Sequence, residues 1–137
     1  MPFSTTRTVR FGETDPAGIV YFSRFYEYAH EAYEDMLQAG GFPLSDVFSG
    51  EWAMPLVRSE ADYSIPSRLG DELTLHLSVD KIGNRSVRYR VDIHGQDGAL
   101  RARIQHTHAT VDLKTAKTCS VPERLIEALK SSGALEE

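Results

Sequence analysis

Several things are scarce in this chain of 137 residues, and each scarcity closes a class of explanation. A single cysteine, Cys119, leaves no internal disulfide and no cysteine-rich zinc cage, and a cytoplasmic location follows as the default. No apolar run reaches the roughly 18 residues that a membrane-spanning helix needs. The opening Met1-Pro2-Phe3-Ser4-Thr5-Thr6-Arg7 has no apolar core of the secretory kind. A glycine-rich phosphate loop is missing, as is any serine or cysteine nucleophile signature. Basic residues are also short: 15 Lys and Arg stand against 20 Asp and Glu, and the net charge of −5 argues against a general nucleic-acid binder.

What remains is an ordinary composition, 41% hydrophobic and 26% charged, of a length that fits one domain over residues 1–137. The charge is uneven. Residues 1–62 carry four basic and ten acidic side chains, whereas residues 81–103 carry six basic ones (Lys81, Arg85, Arg88, Arg90, Arg101, Arg103) and two acidic ones. That second segment is either a positive surface for an anionic ligand or a solvated strand face of alternating charge.

Periodicity predicts one long helix and several strands. Thr5 to Phe11 reads as a first strand, ended by the turn at Pro16 and Gly18. From Tyr21 to Ala39 the apolar positions Phe22, Phe25, Tyr26, Ala29, Ala32, Tyr33, Met36 and Leu37 follow helical spacing, and Gly40-Gly41 stops the run. A helical turn is expected over Pro43 to Phe48, and an irregular strand over Met54 to Ile65. Strict alternation follows at Leu73–Val79 and Val87–Ile93, and a third run begins at Leu100. In that run the apolar phase passes from Leu100, Ala102 and Ile104 to Ala109, Val111 and Leu113, which predicts a bulge or a newly buried face. Gly83-Asn84 and Asp97-Gly98 mark hairpins, and a short amphipathic helix spans Pro122 to Lys130. The layout is α+β, with an antiparallel sheet covering one helix. Open sheet edges need covering, so a homo-oligomer is expected.

The chemistry concentrates at Asp15-Pro16-Ala17-Gly18-Ile19-Val20-Tyr21-Phe22, where a carboxylate in a tight turn precedes a helix N-terminus. Free N–H groups at a helix start can hold a developing oxyanion, and a carboxylate nearby can attack a carbonyl or deprotonate water. The alternative is a plain turn in which Asp15 caps its own backbone. Glu13 either orients a group or is solvated. His30, at the edge of the helical stripe, either meets a ligand or packs. His106 and His108 share a strand face and so could chelate a metal, but no third ligand stands in register, and a surface or interface pair is the simpler expectation. No metal and no separate cofactor are predicted.

The stretch Phe11-Gly12-Glu13-Thr14-Asp15-Pro16-Ala17-Gly18-Ile19-Val20-Tyr21-Phe22 resembles the signature of the 4-hydroxybenzoyl-CoA thioesterase-like hotdog enzymes. The resemblance covers nearly the whole chain. It implies a hotdog fold, a sheet wrapped around one central helix, as a dimer pairing into a tetramer with sites at subunit interfaces. It implies acyl-CoA thioester hydrolysis, with Asp15 as the catalytic carboxylate and the Phe22 N–H as oxyanion donor. Trp52, Met54, Phe25 and Tyr26 either line an aromatic pocket for the acyl group or are core, and Tyr21, Tyr26, His30, Trp52 and Met54 are the candidate substrate-binding residues. Coenzyme A phosphates would meet Arg85, Ser86 and Arg88. His30 stands where the 4-hydroxybenzoyl enzyme has an aspartate. His30-Glu31-Ala32-Tyr33-Glu34 and Met54-Pro55-Leu56-Val57 look closer to the 1,4-dihydroxy-2-naphthoyl-CoA hydrolases of quinone biosynthesis. A broad short-chain thioesterase and a non-catalytic acyl-CoA-binding regulator are the competing functional classes. Neither nucleic acid nor membrane is an expected partner.

Overall fold

The computed structural model describes residues 3–43, 45 and 50–135. Among them the chain forms β1 (Phe3–Thr8), a single 3-10 turn (Phe11–Glu13), α1 (Phe22–Ala39), β2 (Trp52–Ala53), β3 (Leu56–Tyr63), β4 (Glu72–Ile82), β5 (Ser86–His94), β6 (Leu100–Ala109), β7 (Val111–Asp112) and α2 (Glu123–Ser132). Five strands make one antiparallel sheet in the order β1-β4-β5-β6-β3, and β2 pairs with β7 beside it. This is the α+β layout expected, with α1 packed on the inner face against β1, β4 and β6. No helix among the described residues is long and apolar enough to cross a membrane. Most of the turn expected at Pro43 to Phe48 lies outside the described residues.

The inner face is built from alternation. Leu73, Leu75 and Leu77 of β4, Val87, Tyr89, Val91 and Ile93 of β5, and Ala102 and Ile104 of β6 are buried. Opposite them α1 buries Phe25, Tyr28, Ala29, Ala32, Tyr33, Met36 and Leu37. Two details differ from the helical stripe read in the sequence. Phe22 is 55% exposed, because the helix start projects beyond the sheet, and Tyr28 is buried instead. Tyr21 sits just before the helix as its N-cap residue. The first strand ends at Thr8 rather than Phe11, because Gly70 and Val9 exchange a backbone bond and the chain then tightens into the 3-10 turn.

The predicted change of phase in β6 does not occur. Its inner face continues through the buried His106 and His108, paired in register with Tyr89 and Val87 of β5. Two polar side chains therefore occupy positions that the period-2 pattern reserves for apolar ones. The pair is neither at the surface nor assembled with a third metal-binding group among the described residues.

The outer face is polar. Arg88, Arg90 and Arg103 alternate with Asp80 and Asp92: Arg88 Nε lies 4.0 Å from Asp80, Arg90 3.5 Å from Asp80 and 3.4 Å from Asp92, and Arg103 2.6 Å from Asp92. Three of the six basic residues read in the sequence thus form a ladder of alternating charge. Arg85 lies outside that ladder, bonding Thr118 at 3.3 Å from the β4–β5 hairpin.

Helix α2 closes the far end of α1. Gly40 meets it so closely that a Cβ there would stand 2.1 Å from the Ala128 carbonyl oxygen. Gly40→Ala must therefore push two backbones apart, at a cost of about 1–3 kcal/mol. Thermal unfolding of this variant will begin several degrees below wild type; an unchanged midpoint would mean that the α1–α2 contact is soft.

Candidate active site

The loop between Glu13 and Tyr21 is a closed clasp. Thr14 and Val20 form an antiparallel bridge, Tyr21 N–H donates to the Glu13 carbonyl at 2.9 Å, and Asp15 N–H donates to the Ile19 carbonyl at 2.8 Å. Gly18 turns the chain at φ 79°, a conformation that a side chain would strain. The clasp is laced to the segment after β3: Val20 N–H donates to Ser67 at 2.8 Å and Ile19 bridges Arg68.

Within the clasp one carboxylate oxygen of Asp15, Oδ1, accepts from Ala17 N–H at 2.8 Å and from Ile19 N–H at 3.3 Å. Oδ2 takes no donor among the described residues. The turn-capping role and the catalytic role are therefore not exclusive. One oxygen fixes the carboxylate while the other stays available. A few residues on, no capping side chain bonds to the first turn of α1. Such a helix start presents bare N–H donors and the positive end of the helix dipole.

Glu13 holds the clasp down. Its carboxylate pairs with Arg7 of β1 and accepts from Tyr28 Oη of α1 at 2.9 Å and from Arg10 N–H at 2.9 Å. Arg7 also pairs with Glu31, bonding at 2.9 Å, and lies 4.5 Å over the Tyr28 ring. Burial raises the Glu13 carboxyl pKa, but bonds from the Arg10 N–H, Arg7 and Tyr28 outweigh it, and the net shift is downward. Of the two sequence readings of Glu13, orienting a group or being solvated, the contacts favour the first, the groups held being Arg7, Tyr28 and the Arg10 N–H. The partner Tyr28 was hidden because it falls off the simple apolar stripe.

Two grooves flank the clasp. Asp15 lines one with Phe11, Thr14 and Leu69. The other, about 330 Å³, is apolar and is walled by Val20, Phe22, Phe25, Tyr63, Ile65 and Ser67. Tyr63 and Ser67 carried no signal in the sequence beyond a strand end and a turn. The Tyr63 hydroxyl donates to the Phe22 carbonyl at 3.3 Å, and burial, with the neighbouring Tyr26 hydroxyl, pushes its pKa up to about 12. Ser67 is 1% exposed with its hydroxyl unpartnered.

Along α1 the positions Phe22, Tyr26 and His30 follow one another at four-residue spacing. Tyr26 lies parallel to His106, ring centroids 6.0 Å apart, and His30 lies 6.4 Å from His108 while pairing with Glu34 at 3.2 Å. Met54 joins this end: its sulfur takes the Tyr33 hydroxyl at 3.4 Å and its carbonyl bonds His108 Nδ1 at 2.9 Å. Trp52 sits apart, edge-on to Phe42 at 5.8 Å. The structure thus gathers Asp15, Tyr21 and Phe22 at the clasp, and Tyr26, His30 and Met54 further along the helix. Arg85, Ser86 and Arg88 do not join them. They lie at or near the start of β5, whose other end, at His94, is about 27 Å from Ser86 at the usual rise of a strand.

The matching family model is the thioesterase-like superfamily, over residues 9–129. A 1,4-dihydroxy-2-naphthoyl-CoA hydrolase of Synechococcus elongatus is 36% identical over 127 residues, spanning 90% of this chain and 92% of its own. One from Prochlorococcus marinus is 29% identical over 135 residues, spanning 93% and 89%. A solved 1,4-dihydroxy-2-naphthoyl-CoA thioesterase from Synechocystis superposes with a TM-score of 0.88 at 30% identity, covering 95% of this chain and 96% of that one.

Burial brings the His106 pKa down to about 4, with repulsion from His108 and His30 adding to the shift. Burial also lowers His108 and His30 repels it, against the opposing bond to Met54. Unfolded histidines protonate near 6.5, so stability is complete above that pH and declines as pH falls toward 4. His106 alone contributes up to about 3 kcal/mol to that decline. Thermal melts from about pH 7.5 down to about 4.5 will show the loss, and His106→Leu will flatten it. Glu13 acts in a lower window, its stabilisation lost as pH drops through its depressed pKa. At neutral pH, Glu13→Gln should cost about 2 kcal/mol, measured by denaturant unfolding.

Proposed function

This chain belongs to the thioesterase-like superfamily, and from that membership we propose that it hydrolyses an aromatic acyl-CoA thioester, foremost 1,4-dihydroxy-2-naphthoyl-CoA. The observation that carries the mechanism is the divided Asp15 carboxylate, one oxygen bonded to Ala17 and Ile19 and the other free. Oδ2 is the reacting oxygen. It either adds to the thioester carbonyl, giving an anhydride that water then opens, or takes a proton from the water that attacks. In both routes the thioester oxygen gains negative charge and the Phe22 N–H, at the uncapped helix start, receives it. The products are free CoA thiol and the aromatic acid. A 4-hydroxybenzoyl or short-chain acyl-CoA is the alternative substrate.

The complete site takes two chains. Strand β3 is an eight-residue sheet edge with Leu56, Val57 and Tyr63 roughly half exposed. Pairing two copies of β3 about a two-fold axis covers this edge. Antiparallel pairing then brings the partner's β3 start beside this chain's β3 end. The partner's β4–β5 hairpin is thereby carried toward this chain's clasp. A CoA phosphate bound by Arg85, Ser86 and Arg88 of one copy thus serves the Asp15 of the other. Two such dimers form the tetramer.

Asp15→Asn should lower thiol release from 1,4-dihydroxy-2-naphthoyl-CoA at least a hundredfold; an equal rate would remove Asp15 from the chemistry. Arg85→Ala should raise KM. Refolding the two variant chains together should recover activity, since one mixed site has both residues intact. Failure of any mixture to recover activity, with dimers present, would place Asp15 and Arg85 in one chain's site.

A further inference from the structure

His106 and His108 are the buried groups that the hydrolytic step leaves unused. They are 2% and 4% exposed, on one face of β6, with ring centroids 6.5 Å apart. Each ring is fixed at Nδ1: His106 by the Tyr89 hydroxyl at 2.9 Å, and His108 by the Met54 carbonyl at 2.9 Å. Each Nε2 is buried and has no hydrogen-bond partner.

The two fixing bonds set the tautomers in opposite senses. A carbonyl only accepts, so His108 carries its hydrogen on Nδ1 and its Nε2 is a bare acceptor. The Tyr89 hydroxyl can donate or accept; no other acceptor for its hydrogen stands among the described residues, so we assign it as donor to His106 Nδ1, which puts the ring hydrogen on His106 Nε2. A donor and an acceptor on rings 6.5 Å apart, both without a partner among the described residues, are complementary to a group that is itself both. A hydroxyl is that group: its oxygen accepts from His106 and its hydrogen goes to His108.

The position of the pair suits an acyl ring. His106 stacks alongside Tyr26 and His108 neighbours His30, and both helical residues continue the stripe that begins at Phe22. Tyr26 lies about 6 Å along the helix axis from Phe22 and His30 about 12 Å. A ring whose carbonyl sits at the Phe22 N–H and whose body lies along this stripe reaches the depth of the pair.

We propose that His106 and His108 form a hydroxyl-recognition site that selects aromatic acyl groups bearing a phenolic hydroxyl. This rests on the reading of the Phe22–Tyr26–His30 stripe as the acyl wall. Discrimination by such a site is strong, because a substrate without the hydroxyl leaves both imidazoles unpaired.

The test compares kcat/KM for 1,4-dihydroxy-2-naphthoyl-CoA and 2-naphthoyl-CoA in wild type and in His106→Leu and His108→Leu. Wild type should prefer the hydroxylated thioester at least tenfold, and each variant should lose most of that preference. An unchanged ratio in folded variants would overturn the site. If wild type hydrolyses neither thioester, the thioesterase reading itself fails, a different outcome from hydrolysis without preference. Should the variants fail to fold, ¹⁵N-histidine spectra of wild type decide. The Nε2 resonances of both residues should move on adding 1,4-dihydroxy-2-naphthoate and stay in place with 2-naphthoate. Movement with both acids, or with neither, would overturn the proposal.

Discussion

The partly buried carboxylate of Glu13 anchors the candidate site. It ties the end of β1, through Arg7, to the second turn of α1, through Tyr28, and it holds the 3-10 turn through the Arg10 N–H. Arg7 adds its own bond to Glu31 of α1 and its stacking on the Tyr28 ring. The backbone of the same residue closes the clasp by accepting from Tyr21. One residue therefore fixes both the loop that carries Asp15 and the first residue before the helix. A carboxylate and a set of backbone donors can cooperate on one carbonyl only if their separation is constant, and the ionic cluster supplies that constancy.

The sheet contributes in a different way. Its outer charges compensate one another along the Arg88–Asp80–Arg90–Asp92–Arg103 ladder, and each exposed pair is worth little by itself. The ladder keeps the outer face solvated. Arg85, on the hairpin and outside the ladder, is the more available cation for a phosphate. Apolar exposure is concentrated on β3 and around the clasp, at Phe11, Phe22, Val57, Tyr63 and Leu69. The candidate site and the candidate contact surface are continuous.

Much of this was legible in the sequence because it rests on local rules. The helical stripe, the strand alternation and the glycine turns each follow from backbone geometry, and α1, β4 and β5 lie where periodicity placed them. The motif around Asp15 was visible because a turn and a helix start are adjacent in sequence. What was hidden depends on contacts between distant segments. The anchoring of Glu13 needs Arg7 and Tyr28, from two other elements. His106 and His108 broke the apolar pattern of β6 and so read as a change of phase, when they are polar groups held on the core face by Tyr89 and Met54. Tyr63 and Ser67 enter the groove only because the segment after β3 folds back onto the clasp.

The unfilled helix start sets a limit on how this protein can be improved. Tyr21 occupies a position where serine or aspartate is ordinarily favoured, and its side chain caps no N–H of the first turn. A designer seeking thermal robustness would replace it first, and the helix would gain. The gained cap would take the N–H of Ser23 or Arg24 and would set a competing acceptor beside the Phe22 N–H on which the proposed chemistry draws. Robustness is better sought elsewhere in the chain, because the proposed chemistry needs this backbone unsatisfied.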